Sequence, residues 1–193
     1  MRVKSRWFRR DRPRTPPEVA NATAFIAWRV SREALRRMRA ARFDVDAGRA
    51  YFAFLSEFLA FLIAVADRVA HARISAVARV EFTTTLANRA GGILQDNAVD
   101  LLGAEGEHAK ARFIELVNER LSDYASFTWG DGGPDFAFLR YLAHRVSDIV
   151  PPRDRSWSVA QVAEIEAPEA AAVLRKALDD LLACDAPAPE MAQ

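Results

Sequence analysis

Between Ala50 and Ala66 the chain is apolar at every position except Ser56 and Glu57. No other feature restricts the fold as strongly. At 3.6 residues per turn, Tyr51, Phe54, Phe58, Phe61 and Val65 form one stripe, and Phe52, Leu55, Leu59, Leu62, Ala66 and Val69 form a second beside it. On a wheel of ~100° per residue the two stripes cover roughly 200°. A surface helix buries a single stripe, so this segment must meet neighbours on at least two sides. Glu57 near its middle and the Asp67-Arg68 end argue against a membrane span. The expected fold is therefore all-α: one helical-bundle domain of six or seven helices packed around a central apolar helix at about 47–71.

The rest of the sequence fits that frame, with helical periodicity throughout and no run of strand alternation. Thr15-Pro16-Pro17-Glu18 reads as a capping box with proline at the first helical position, opening a helix that runs to about Arg42. Its expected inward face is Val19, Ala22, Ile26 and Val30. Ser75 caps a helix over about 76–102, which Gly91-Gly92 would weaken or split. A further helix is expected over about 107–127, with Phe113, Val117, Leu121 and Tyr124 on one face. Gly130-Asp-Gly-Gly-Pro134 is a turn, and the next helix runs from Asp135 to about Ile149, stopped by Pro151-Pro152. Asp154 or Ser156 opens a short helix to Glu166, and Pro168 starts the last, ending near Ala183. The domain thus spans 15–183, between a basic extension at 1–14 and a frayed tail at 184–193.

The 193 residues carry a net charge of +1, which conceals an asymmetry. Residues 1–42 hold 13 Lys+Arg against Asp11, Glu18 and Glu33, a balance of +10; the remainder holds 14 against 23 acids, a balance of −9. An anionic partner for the N-terminal part, or docking of that part on the acidic remainder, follows from the split. Arg6, Arg9, Arg10, Arg12 and Arg14 surround the adjacent Trp7 and Phe8, a composition suited to phosphates and stacked bases of single-stranded nucleic acid. Arg29, Arg32, Arg36 and Arg39 extend the patch along one helix face. The basic start leads into polar residues and prolines rather than an apolar signal segment, which gives a cytoplasmic expectation.

Chemistry-bearing patterns are sparse. Cys184 is the single cysteine, so neither an intrachain disulfide nor a cysteine-based zinc site can form. Phosphate-loop, serine-hydrolase and zinc-protease motifs are missing. Glu105 and His108 have the Glu-x-x-His spacing of di-iron bundles, but no second copy accompanies them. No catalytic residue, metal site or cofactor is assigned. The polar wedge of the central helix offers Glu57, Asp67 and His71 as a polar site: Asp67 and His71, four apart, are placed to pair, and Glu57 sits among alanines where another helix can approach. The comparison with tetracycline-repressor-like regulators, which an all-helical chain of this length invites, fails because residues 1–50 lack their Gly-Val-Ser turn and Tyr-x-Phe pattern.

Together these observations favour a non-enzymatic interaction or regulatory protein that self-associates through the central helix or a neighbouring face, with a protein partner. A nucleic-acid-binding protein using the arginine-rich N-terminal region is the second reading. A helical-bundle enzyme or small-ligand binder with a pocket beside the central helix is the third.

Overall fold

The computed structural model describes residues 14–183; the arginine-rich segment 1–13 and the tail 184–193, including Cys184, lie outside the described residues. Seven α-helical segments are described: α1 (Pro16–Ala40), α2 (Arg49–His71), α3 (Ala76–Leu102), α4 (Ala109–Ala125), α5 (Phe136–Ser147), α6 (Arg155–Gln161) and α7 (Ala167–Ala183). A two-stranded antiparallel hairpin, β1 (Trp129–Gly130) and β2 (Gly133–Pro134), joins α4 to α5, with Trp129 opposite Pro134. The architecture is the expected all-α bundle.

Helix α2 is its axis. Both stripes are buried, from Phe52 to Val69, and only Tyr51 among their members is half-exposed. Helices α1, α3, α4, α5 and α7 all pack against it. Phe54 stacks on Phe58 at 4.6 Å between centroids, and Phe61 meets Tyr124 of α4 and Phe138 of α5 edge-on or tilted. By length and hydropathy α2 could cross a membrane, but its apolar surface is spent inside the molecule. The chain itself covers both stripes.

Local signals positioned most helix ends. The Glu18 carboxylate accepts from the Thr15 backbone N–H at 2.9 Å, Ser75 Oγ accepts from the Ala78 N–H at 3.3 Å, and Asp135 Oδ1 accepts from the Phe138 N–H at 2.8 Å. Each satisfies a donor that the first helical turn leaves unpaired. Gly91-Gly92 does not split α3. A Cβ at Gly91 would lie 3.1 Å from Lys110 Cγ and 3.2 Å from Phe113 Cδ1, so this glycine lets α4 lie close to α3.

Two expectations are corrected. Of the expected inward face of α1, Val19 is buried but Ala22, Ile26 and Val30 are not; the buried face is a row of small residues (Ala20, Thr23, Ala24, Ala27, Ser31, Ala34) flanked by Val19, Trp28, Leu35 and Met38. Small side chains let α3 and α1 lie side by side, whereas Ala22, Ile26 and Val30 are left half-buried. Pro168 does not begin a separate helix either. Helices α6 and α7 run on through a π-helical turn, Val162–Glu166, whose wider hydrogen-bond ring accommodates a residue with no N–H. That turn holds Glu166, fully buried, which accepts from Arg37 of α1 at 2.7 Å and from Gln161 at 3.0 Å.

Candidate functional site

A cavity of about 920 Å³ lies between α2, the α3–α4 junction and the end of α5. Phe52, Leu94, Leu102, Phe113, Leu116 and Ile149 give it apolar walls, and Arg49, Arg112, Arg120 and Arg145 place four guanidiniums around it.

Its polar floor is Glu57. The carboxylate is held bidentate by Arg120 of α4, with Nε donating to Oε2 at 2.9 Å and Nη2 to Oε1 at 2.8 Å. Side-chain exposure is 11% for Glu57 and 8% for Arg120, so both charges are withdrawn from water. This geometry is the one in which a buried pair recovers its desolvation cost. The remaining Arg120 nitrogen, Nη1, reaches Glu119 at 2.6 Å and Asp123 at 3.7 Å. The Glu57 hydrogen bonds raise the Arg120 guanidinium pKa further above its already high value, outweighing desolvation. Arg120 was missed in the sequence although its signal was present: 113, 117, 120 and 124 are the true buried stripe of α4, and the expected Leu121 is only half-buried.

Tyr141 and Tyr124 back this pair. Tyr141 donates its hydroxyl to Asp123, and its ring lies 5.4 Å from the Arg145 guanidinium carbon and 6.0 Å from that of Arg120. Desolvation, then the Asp123 hydrogen bond, pushes the Tyr141 phenol up to about 12. Burial, with the nearby negative charge of Glu57, pushes the Tyr124 phenol well above its usual value.

Arg145 differs from the other three guanidiniums of the cleft. Arg49 is paired with Glu105 at 3.0 Å, and Arg112 donates to the Glu105 carbonyl at 3.0 Å. Arg145 approaches Asp148 only at 3.8 Å, and its Nε is buried with no hydrogen-bond partner among the described residues. A buried donor left unpaired costs about 1–3 kcal/mol, which an incoming acceptor would recover.

Asp67 and His71 belong to a different place, about 15 Å further along α2 by helical rise. They do not pair directly. Asp67 accepts from Arg79 Nε and Nη2 at 2.8 and 2.7 Å and from Thr83 Oγ1 at 2.8 Å. Arg79 then donates through Nη1 to His71 Nδ1 at 3.0 Å, which leaves the imidazole proton on Nε2. Arg68, from the same wedge, ties α2 to the end of α4 by donating to the carbonyls of Tyr124, Ala125 and Phe127, each at 3.1 Å. The three residues grouped from sequence as one polar site are thus two clusters, of which only Glu57 borders the large cleft. Glu105 pairs with Arg49, His108 stands at the N-cap position of α4 with no side-chain cap hydrogen bond among the described residues, and no group of three or more His, Cys, Asp or Glu residues suited to a metal ion occurs among the described residues.

Of the sequence-predicted nucleic-acid residues, Arg14 donates to the Leu181 carbonyl at 3.0 Å, while Arg6, Trp7, Arg9, Arg10 and Arg12 lie outside the described residues. Arg29, Arg32 and Arg36 are exposed together on α1. No family model, curated protein or solved structure matches the chain.

Proposed function

We propose that the protein is a non-enzymatic binding protein whose cleft takes a small amphipathic anion, an apolar body carrying one carboxylate or phosphate. The observation that carries this reading is that Arg145, whose buried Nε has no hydrogen-bond partner among the described residues, lines an apolar-walled cavity. A volume of about 920 Å³ falls in the range of small-molecule sites, which combine apolar walls with a few placed polar groups. Binding is favoured over catalysis because the buried carboxylate of the cleft, Glu57, has both oxygens engaged by Arg120. A general base must offer a free lone pair to the proton it removes.

Isothermal titration with decanoate, with decanol as its uncharged counterpart, tests the reading. The full chain should bind decanoate saturably and decanol more weakly. Arg145→Gln should weaken decanoate about 10- to 100-fold, the worth of one charge-assisted hydrogen bond, and leave decanol unchanged. Absence of saturable decanoate binding, or equal binding by the variant, would contradict it.

A further inference from the structure

A second surface borders the start of α2 through Tyr51, whereas the cleft borders it through Arg49 and Phe52, and the reading of one does not depend on the other. Arg29, Arg32, Arg36 and Arg39 project from one exposed face of α1, over about 15 Å of helix. They border a groove of about 690 Å³ between α1, the start of α2 and α7, whose floor is Ile26, Val30, Tyr51 and Val173. The neighbouring Arg37 is turned inward onto Glu166 and Glu169 and adds nothing to the ridge. Arg39 is partly engaged, donating to the carbonyls of Val45 and Asp46 and lying 5.5 Å from the centre of the Tyr51 ring. Arg36 pairs with Glu33 on the surface, a contact of little worth that a phosphate can replace. Arg29 and Arg32 make no hydrogen bond or ion pair with any described residue.

We infer that this ridge is a binding site for single-stranded nucleic acid, with phosphates along Arg29, Arg32 and Arg36 and bases laid against the apolar floor beside Tyr51. Like charges repeated at helical spacing suit a polymer of phosphates better than a single anion. A floor of Ile, Val and Tyr suits unpaired bases, which expose apolar faces that a duplex hides. Charge in the sequence points the same way: residues 1–14 add seven basic residues and the adjacent Trp7 and Phe8.

The test is fluorescence anisotropy of a labelled oligouridylate of about 20 nucleotides with the full chain. Three contacted phosphates, each releasing about 0.7 counterion, give about a 20-fold loss of affinity between about 50 and 200 mM salt. Arg29→Glu with Arg32→Glu should weaken binding at least tenfold and flatten the salt slope. Arg29→Gln with Arg32→Gln should do the same to a smaller degree. Arg140→Glu with Arg155→Glu, an equal charge change off the ridge, should leave the affinity within about twofold. No binding at low salt, or an equal loss in the ridge and control variants, would overturn the inference. So would binding to phosphatidylserine vesicles that is tighter than to the oligonucleotide and lost in the same ridge variants.

Discussion

Glu57 and Asp67 occupy the same polar wedge of one helix, yet their surroundings differ. Glu57 and Arg120 are exposed by 11% and 8%, and each carboxylate oxygen meets a guanidinium nitrogen. Asp67 and Arg79 are exposed by 16% and 36%, and the aspartate shares its partner with His71 and gains Thr83. The first pair is sealed between α2 and α4 at the floor of the cleft; the second lies near the end of α2, where water reaches it. Similar ion-pair geometry therefore carries different consequences, because removing one member strands a charge in the first case and merely frees a surface arginine in the second.

The largest expected effect comes from Glu57→Ala, which should cost about 3–5 kcal/mol in urea unfolding because Arg120 is left buried. A cost under about 1 kcal/mol would show that Glu119 and Asp123 hold Arg120 without Glu57. Replacing the pair together, Glu57→Leu with Arg120→Met, should restore most of that loss, since an apolar pair has no charge to strand. Phe58→Ala, beside Glu57 and fully buried, should cost a comparable 3–5 kcal/mol, about what a core phenylalanine contributes. If it costs little, the apolar part of α2 is not the packing centre that surrounds the sealed pair.

Asp67→Asn should cost about 1 kcal/mol or less, and the difference from the parent protein should shrink in about 1 M salt, where exposed charges are screened. The Glu57→Ala loss should be nearly insensitive to salt. Equal salt dependence at the two sites would erase the contrast between them.

The response to alkaline pH probes the packing behind the first pair. In the unfolded chain phenols ionise near pH 10, while folding pushes Tyr141 up to about 12 and Tyr124 well above its usual value. Stability should be level below about pH 10 and fall as pH rises toward 12, because the unfolded state sheds protons that the native state keeps. Tyrosinate absorbance should then rise together with unfolding. If Tyr124 and Tyr141 ionise near pH 10 with the fold intact, the packing behind the Glu57–Arg120 pair is looser than described.

Much of the fold was legible because it rests on local chemistry. Ser75 and Asp135 mark helix starts by their side chains alone, and the breadth of the α2 stripes announces a central helix. What stayed hidden depends on partners distant in sequence. Arg120 reads as a surface residue until Glu57, 63 positions away, is placed opposite it. The inward face of α1 is written in Ala, Ser and Thr, which a search for large apolar residues passes over. Pro168 signals a break locally, yet the π turn before it lets the helix continue. Arg145 gave no sequence signal as a ligand-facing group, since an arginine on an amphipathic helix is ordinarily solvated; only its buried Nε distinguishes it.

Arg145 is therefore where the account is most directly tested. The arginine Nε–H resonances, observed by proton–nitrogen correlation spectra and assigned with Arg145→Lys and Arg120→Lys variants, report each guanidinium separately. On titration with decanoate the Arg145 Nε–H signal should shift downfield and saturate, while that of Arg120, already donated to Glu57, stays in place. An unmoved Arg145 signal at decanoate saturation, or a shift confined to Arg120, would contradict the assignment of this cleft as an anion-binding site.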